Sequence, residues 1–316
     1  MTRRLSRREF LRLGATAAAA ALTMPVTRAL AQIAPAGSAI PTRPLGSTGV
    51  SVTALGLGGE GVLRTWGRAR EAERVIRHAL AAGITYCDTA PAYSASQDYY
   101  GGVLAEYRSD IFLASKTHDR SRDGSLRLLD ESLRRLRTDR LDLWQLHDLR
   151  SRDDLTEIFS PRGAIHAMEE ARRDGRVRFL GITGHYDPAV LVAALREYRF
   201  DTVLAALNVA DRARLSFIDT VLPAAAERQA GIIGMKVVGR GQLLDPKAGF
   251  TVRDALGYVL SLPVTTAIIG FSSTREVDEA VAVAAAAPSL GREAMAALER
   301  RAAPLAADIT WYKRAS

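Results

Sequence analysis

Short apolar runs alternate along this chain with longer stretches in which apolar residues recur at helical spacing. The short runs have the length and β-branched content typical of buried strands, and the longer stretches place their apolar residues on one helix face. This pattern predicts eight strands, at 54–58, 84–88, 111–116, 141–147, 177–183, 202–208, 232–237 and 265–269. It predicts eight intervening helices, at 70–82, 98–107, 124–137, 164–174, 188–198, 217–230, 252–262 and 274–286, and a last helical stretch at 292–303.

Strand followed by helix, repeated eight times, indicates an α/β fold with a parallel sheet. The eightfold count favours a closed (β/α)8 barrel of the TIM type. A doubly wound sheet is the competing architecture, but Gly56-Leu57-Gly58-Gly59 lacks the spacing of a dinucleotide-binding fingerprint after the first strand. A hairpin-like segment at 43–53, turning at Ser47-Thr48-Gly49, precedes the barrel.

The N-terminal segment has the pattern of an export signal. Ser6-Arg7-Arg8-Glu9-Phe10-Leu11 is a twin-arginine signature, and Ala29-Leu30-Ala31 follows a weakly apolar, alanine-rich core as a cleavage pattern. That core is too short for a convincing transmembrane helix, so we expect no stable membrane anchor. The predicted organisation is a signal peptide at 1–31, a linker at 32–42, and the barrel with its C-terminal tail at 43–316.

This organisation predicts export in the folded state by the twin-arginine machinery, and a periplasmic or other extracytoplasmic location. A cytoplasmic protein with a basic tail is the alternative. The formal net charge of +8 arises mainly in this segment, since residues 1–31 hold six arginines and one glutamate and the remainder carries +3. The remaining charges form no basic stripe interleaved with aromatic residues, so nucleic acid is not an expected partner.

The single cysteine, Cys87, excludes an intramolecular disulfide and a cysteine-ligated metal cluster. It alternates out of phase with Asp88 on the second predicted strand, and should therefore face the surrounding helices as core packing.

Four polar residues lie at the ends of three consecutive predicted strands. Asp88 ends the second strand and Tyr93 lies on the loop after it, Lys116 ends the third strand, and His147 ends the fourth. The carboxyl ends of barrel strands meet at one mouth of the barrel, where the active sites of (β/α)8 barrel enzymes lie. Alternation also puts Leu143, Gln145 and His147 on one face of the fourth strand. The four groups are therefore expected to converge.

Their chemistry is complementary. A phenol with a pKa near 10 is a weak acid at neutral pH. An adjacent ammonium would lower the pKa of Tyr93, and a carboxylate such as Asp88 would keep the lysine charged. A carbonyl oxygen held between Tyr93 and His147 would be polarised and protonated as a hydride reaches its carbon. Such a site needs a hydride donor and no metal.

The motifs Asp88-Thr89-Ala90 with Tyr93, Ser115-Lys116 and Leu146-His147 resemble those of the aldo-keto reductases, and the similarity extends over residues 43–290. The resemblance implies Tyr93 as general acid and base, Lys116 and Asp88 as the groups that tune it, and His147 as the carbonyl-orienting residue. It also implies that the opening hairpin closes the barrel bottom. The implied cofactor is NADP(H), bound in an extended pose, with NAD(H) as the alternative.

The resemblance assigns cofactor contacts to four segments. The implied positions are Thr183 at the nicotinamide carboxamide, Asn208 near it, Met235 or Lys236 against the nicotinamide ring, Gly239 and Arg240 over the pyrophosphate, and Gly270, Ser272, Arg275 and Glu279 around the adenosine 2′-phosphate. Departures from the family pattern are Gly184 for an asparagine, Leu204 for a glutamine and Ala280 for an asparagine. These departures leave the choice between NADP and NAD open.

The predicted function is reduction of an aldehyde or ketone, or the reverse reaction. The loops implied to line the pocket, at 60–67 and 148–161, and Trp311-Tyr312 in the tail suggest an apolar or sugar-like carbonyl substrate. One alternative is a lyase in which Lys116 forms a Schiff base. Another is a non-catalytic binding or accessory protein on a reductase scaffold.

Overall fold

Eight parallel strands close into a barrel in the computed structural model, which describes residues 39–314. The barrel strands are β3 (Leu55–Leu57), β4 (Tyr86–Asp88), β5 (Phe112–Thr117), β6 (Leu141–Leu146), β7 (Val177–Gly184), β8 (Thr202–Ala206), β9 (Gly231–Met235) and β10 (Thr266–Ile269). Each strand pairs with the next, and β10 pairs with both β9 and β3, which closes the ring. The predicted (β/α)8 barrel is confirmed.

The helices lie outside the barrel strands in chain order. They are α1 (Ala69–Ala81), α2 (Ser96–Gly101), α3 (Leu104–Tyr107), α4 (Arg122–Leu136), α5 (Arg152–Ile158), α6 (Ala164–Arg173), α7 (Pro188–Glu197), α8 (Phe217–Glu227), α9 (Val252–Leu260), α10 (Thr274–Ala285), α11 (Arg292–Ala302) and α12 (Ala306–Ile309). Short 3₁₀ segments lie at Gly61–Arg64, Asp211–Ala213, Gly239–Leu244 and Ala303–Leu305, and the third of them is kinked at Arg240 and Gly241. The eight helices predicted between strands are present, with bounds shifted by a few residues.

Two local predictions differ from the structure. The predicted helix 98–107 is broken into α2 and α3, where Gly101 packs so tightly on α4 that a Cβ would lie 2.2 Å from Arg135 O. The charged segment 148–161, predicted as loop, contains α5. Ser151 caps that helix by accepting a hydrogen bond from the Asp154 amide, so the signal was a capping serine followed by acidic residues.

The opening hairpin covers the N-terminal end of the barrel, as the family resemblance implied. Its strands β1 (Thr42–Pro44) and β2 (Ser51–Thr53) pair in antiparallel register. Gly46, at a φ of +55°, lies so close to the start of β9 that a Cβ would be 2.3 Å from Gly231 N. Leu45 and Val52 then close the barrel interior from below, in one apolar cluster with inward residues such as Tyr86.

Side-chain alternation on the strands separates two apolar layers. Inward residues of the barrel pack with Leu45 and Val52, whereas Cys87 and Trp144 belong to the larger layer between strands and helices. Cys87 is fully buried there, which confirms its predicted orientation. Leu143, on the opposite face of β6 from Trp144, lies in the inner cluster as predicted.

The signal peptide predicted at 1–31 and most of the linker at 32–42 lie outside the described residues. Within 39–314, no helix combines the length and the apolar character needed to cross a membrane.

Candidate active site

The four residues predicted to converge meet at the C-terminal mouth of the barrel. Asp88 is the last residue of β4, Lys116 lies near the end of β5, and His147 follows β6 directly. Tyr93 lies on the loop between β4 and α2. The parallel register of β4, β5 and β6 aligns these strand ends, because Asp88 is opposite Ala114 and Lys116 is opposite Gln145. The sequence prediction of this cluster is confirmed in its geometry.

A buried ion pair lies at the base of the cluster. The Lys116 ammonium contacts Asp88 Oδ1 and donates to the Thr89 carbonyl oxygen at 2.9 Å, and both charged side chains are at most 1% exposed. Gln145 Nε2 donates to the second carboxylate oxygen, Asp88 Oδ2, at 3.2 Å. Burial raises the pKa of the Asp88 carboxyl and lowers the pKa of the Lys116 ammonium, and the attraction between the two opposes both shifts.

Tyr93 lies above this pair. The Lys116 Nζ atom is 4.8 Å from the centroid of the Tyr93 ring, and the Arg64 guanidinium is 5.3 Å from it on a cation–π contact. The backbone of Gly59 passes so closely that a Cβ there would lie 2.8 Å from Tyr93 Cδ2. The ring position therefore depends on the absence of a side chain at residue 59.

The pKa of Tyr93 moves in the direction opposite to the sequence prediction. Burial raises it well above the usual value, and the negative charges of Asp88 and Glu60 add to the shift. The prediction of a lowered pKa was wrong because it considered the neighbouring charges and left out the burial of the phenol, which is the largest cause of the shift. Tyr93 is therefore held as a protonated phenol at neutral pH, which is the form that donates a proton.

His147 faces Tyr93 across the mouth. The two rings are 5.6 Å apart and nearly perpendicular, at 82°. Burial lowers the pKa of His147 well below its usual value, and the Lys116 charge adds to the effect, so the imidazole is neutral at pH 7. Arg120 fixes the chain here by donating to the carbonyl oxygens of His147 at 2.8 Å and Asp148 at 3.0 Å.

Two cavities meet at this cluster and share a wall that includes Tyr93, Lys236 and Arg240. The first, of about 460 Å³, extends from Asp88 to Ser272 and Glu276 at the start of α10, and we call it the long cavity. The second, of about 250 Å³, is the mouth cavity. Its lining comprises Glu60, Arg64, Ala92, Tyr93, Lys116, His147, Asp148, Arg150, Thr183, His185, Leu204, Met235, Lys236, Arg240, Trp311 and Tyr312.

The implied nicotinamide-proximal contacts fall partly at these cavities. Thr183 lines the mouth cavity, and its Oγ1 accepts the Asp148 amide at 2.8 Å, which leaves its hydroxyl proton free to donate. Leu204, where the resemblance implies glutamine, forms part of the apolar lining. A Cβ at Gly184 would point at Leu191 of α7, 3.0 Å from its Cδ2, so position 184 faces the helix layer.

The other implied contacts divide into two groups. Gly270 and Ser272 line the long cavity, and Met235 lines both cavities, as do Lys236 and Arg240. Among the described residues lining the two cavities, four of the implied cofactor residues are absent: Gly239, Asn208, Arg275 and Glu279. Gly239 is buried against Ile309 and Leu243, and Arg275 and Glu279 are exposed.

Asn208 instead holds the C-terminal tail. Its Nδ2 donates to the Tyr312 hydroxyl at 3.1 Å, and its Oδ1 accepts the Ala210 amide at 2.9 Å. Lys313, next in the tail, is fully buried in an ion pair with Asp211 at 2.5 Å. These contacts place Trp311 and Tyr312 in the wall of the mouth cavity.

Sequence reasoning missed three functional positions. Gln145 donates a hydrogen bond to the Asp88 carboxylate, and the sequence signal for it was its inward position on β6. Arg64 stacks on Tyr93, and Glu276, rather than Glu279, lines the long cavity and accepts the Ser272 amide at 2.8 Å. No hydrophobic pattern in the sequence indicated Arg64 or Glu276, since the position of each depends on how the chain folds over the barrel mouth.

Comparison with known proteins identifies the family of this chain. A family model described as the aldo/keto reductase family matches residues 54–249, which contain the four clustered residues. L-galactose dehydrogenase of Arabidopsis thaliana is 33% identical over 165 residues, covering 46% of this chain and 49% of that protein. D-threo-aldose 1-dehydrogenase of a Pseudomonas species is 29% identical over 244 residues, covering 62% and 69%. The chain thus spans about half the length of the first relative.

A solved structure extends the likeness over the barrel. An aldo-keto reductase from Bacillus halodurans in its holo form is 26% identical, with a TM-score of 0.70 over 83% of this chain and 96% of that one. The chain belongs to the aldo-keto reductase family, and its (β/α)8 barrel matches the fold of that structure. The segment from Gly270 to Glu279 lies beyond the region that the family model matches.

Proposed function

We propose that this protein is an NADP(H)-dependent oxidoreductase that reduces an aldehyde or ketone to an alcohol, or catalyses the reverse reaction. The observation that carries the proposal is the arrangement of Tyr93 and His147, whose rings lie 5.6 Å apart at one cavity, with the Lys116–Asp88 pair directly behind Tyr93. A protonated phenol and a neutral imidazole on one cavity suit a carbonyl oxygen, which can accept a hydrogen bond from each.

The long cavity fits a dinucleotide cofactor. Glycines in its wall allow the backbone segments to pack closely on each other. A Cβ on Gly58 would lie 3.2 Å from Ile269 C, and a Cβ on Gly270 would lie 2.6 Å from Glu60 C. It runs from Tyr93 to the start of α10, with Arg240 as a cation for phosphate oxygens. The bound nicotinamide cofactor supplies the hydride, with NAD(H) as the alternative to NADP(H).

The chain's own groups handle the oxygen. His147, neutral because of its burial, donates a hydrogen bond that orients the carbonyl. Tyr93 transfers its hydroxyl proton to the same oxygen as negative charge develops there. Lys116 then lies 4.8 Å from the ring, where its positive charge stabilises the phenolate that remains. In the reverse direction, the phenolate removes the alcohol proton.

The contacts of Lys116 argue against a Schiff-base lyase. Its side chain has no exposed surface, and its ammonium is held by the Asp88 carboxylate and the Thr89 carbonyl. A lysine nucleophile must reach the substrate carbon as a free amine. These two contacts restrain Lys116 beneath Tyr93 instead.

The substrate of the proposed reaction is a small carbonyl compound, and a sugar-like compound suits the wall formed by Trp311 and Tyr312. Two similar proteins are named for sugar oxidation, L-galactose dehydrogenase and D-threo-aldose 1-dehydrogenase. Polar hydroxyls could pair with the arginines of the mouth cavity while a ring face packs on the aromatic side chains.

The first experiment is a fluorescence titration of the protein with NADPH and NADH, followed by an aldehyde screen. Replacing Tyr93 by Phe should lower kcat for reduction about 10²–10⁴-fold, because the proton donor is lost, and should leave cofactor Kd unchanged. The matched control is Tyr107→Phe, on α3 away from both cavities. Absence of binding for both nucleotides would overturn the reductase proposal and favour a non-catalytic binding protein.

We also propose, on the sequence alone, that residues 1–31 direct export by the twin-arginine machinery to the periplasm. The proposal predicts that expression in a bacterium with that machinery releases a chain beginning near Gln32 outside the cytoplasm. Replacing Arg7 and Arg8 together by lysine should retain the full-length chain in the cytoplasm. Unchanged export of that variant would contradict the proposal.

A further inference from the structure

The mouth cavity contains more positive than negative charge. Besides the catalytic Lys116, four cations line it, and two of these are neutralised locally. Arg64 pairs with Glu60 at 2.7 Å, and Arg150 pairs with Asp148 at 2.6 Å. The remaining two cations are Lys236 and Arg240.

Lys236 is placed at the cavity by an unusual backbone conformation. It follows the last residue of β9 with a φ of +59°, a left-handed conformation that non-glycine residues adopt infrequently. Within residues 39–314, no carboxylate lies within ion-pair distance of its Nζ, and no protein group accepts a hydrogen bond from it. The one contact of the ammonium is with the Tyr312 ring, whose centroid is 5.9 Å away. The negative charges of Glu60 and Asp148 act on Lys236 from beyond ion-pair distance, but each carboxylate is paired with an arginine, so this partly buried cation has no ion-pair partner of its own.

Lys236 lines both cavities, and the Tyr312 ring near its ammonium belongs to the mouth cavity. Tyr312 lines that cavity and not the long one. The charge of Lys236 also contributes to lowering the pKa of His185, another residue of the mouth cavity, so the two side chains are near neighbours. Arg240, in the Gly239–Leu244 turn, also lines both cavities, and its charge adds to the effect of burial in lowering the pKa of Lys236; Arg240 is exposed, whereas Lys236 is partly buried.

We propose that Lys236 binds a carboxylate of the substrate while Tyr93 and His147 hold its carbonyl oxygen, so that the preferred substrates are carbonyl compounds bearing a carboxylate. The inference rests on the proposed reductase function. A partly buried ammonium with no ion-pair partner, beside the Tyr312 ring, suits a monoanionic carboxylate. The apolar and aromatic wall around Met235 and Tyr312 would exclude water from the ion pair and strengthen it.

The test compares two aldehydes of nearly equal shape, 4-carboxybenzaldehyde and 4-carbamoylbenzaldehyde, which differ in charge. The wild-type protein should show a kcat/KM about 10–100-fold higher for the carboxylate, the range expected for a hydrogen bond to a charged group. Lys236→Met should abolish this ratio by raising KM for the carboxylate far more than KM for the neutral aldehyde. Lys236→Arg should retain most of the preference, and Lys247→Met, at an exposed position, is the control.

A second measurement does not depend on turnover. Calorimetric Kd for 4-(hydroxymethyl)benzoate should rise about 10-fold or more in Lys236→Met, and Kd for NADPH should stay within about twofold. An equal loss of NADPH affinity would overturn the proposal by making Lys236 a cofactor ligand. Equal turnover of both aldehydes by the wild type would overturn it as well.

The two hypotheses fail separately. If neither aldehyde is reduced but the hydroxymethylbenzoate binds in a Lys236-dependent manner, the reductase function fails and the carboxylate site stands. If the neutral aldehyde is reduced in a Tyr93-dependent manner with no effect of Lys236, the reductase function stands and the carboxylate site fails.

Discussion

Removal of the Lys116 ammonium should destabilise the protein strongly as well as inactivate it. In Lys116→Met, the Asp88 carboxylate would keep Gln145 Nε2, at 3.2 Å, as its donor, and would remain at most 1% exposed without a counter-charge. Breaking a buried ion pair by removing one partner costs about 3–5 kcal/mol of unfolding free energy. At about 2 °C per kcal/mol for a domain of this size, the thermal midpoint should fall by about 6–10 °C.

The loss of unfolding free energy in Lys116→Met should become smaller as the pH is lowered. Burial already raises the pKa of Asp88, and without Lys116 the folded-state pKa rises further above the unfolded value of about 4. A carboxyl with a raised folded pKa favours folding while protonated, and that contribution is lost as pH rises through the folded pKa. The deficit of Lys116→Met should therefore be largest at neutral pH and shrink as the pH falls toward about 4.

The assay is urea and thermal unfolding of wild type, Lys116→Met, Asp88→Asn and the double variant, with carbonyl reduction measured in parallel. The double variant should recover most of the stability lost in Lys116→Met, since no buried charge is left alone, yet it should remain inactive. Lys247→Met is the exposed control. A midpoint for Lys116→Met within about 1 °C of wild type, or no recovery in the double variant, would refute the argument.

Four further predictions concern the site and its surroundings. Gly59→Ala should lower kcat/KM about 100-fold, because the new Cβ would lie 2.8 Å from Tyr93 Cδ2 and displace the ring. The control Gly291→Ala, which has open space around it, should leave kcat/KM unchanged, and equal effects of the two substitutions would contradict the argument. The pH profile of reduction should show no alkaline decline below about pH 10, because reduction needs the protonated phenol and the pKa of Tyr93 is raised; an apparent pKa near 8 that vanishes in Tyr93→Phe would show the opposite. Burial lowers the pKa of His185 to about 4, so the unfolded state binds more protons than the folded state between pH 6.5 and 4. The unfolding free energy should therefore decrease by about 3 kcal/mol as the pH is lowered across that window. Denaturant titrations should show that His185→Asn flattens this pH dependence. Glu276→Gln should raise NADPH affinity about three- to tenfold with little change for NADH, since a carboxylate on the long cavity repels a phosphate; unchanged selectivity in competitive titrations would place the phosphate elsewhere.

The sequence by itself determined the architecture and the catalytic cluster. Strand and helix periods are local, so the eight repeats could be counted without any knowledge of contacts. Asp88, Lys116 and His147 could be brought together for a simple geometric reason, because the carboxyl ends of consecutive parallel strands meet at one mouth.

Tertiary structure decided what surrounds and tunes that cluster. The direction of the Tyr93 pKa depends on burial and on the carboxylates near it, neither of which a strand pattern contains. Asn208 is turned away from the cavities by Tyr312, 104 positions later in the chain. Glu60 pairs with Arg64 and Asp148 pairs with Arg150, so Lys236 has no ion-pair partner at the mouth cavity. Such properties are sums over neighbours distant in sequence, and they become definite when the loops and the tail fold over the barrel mouth.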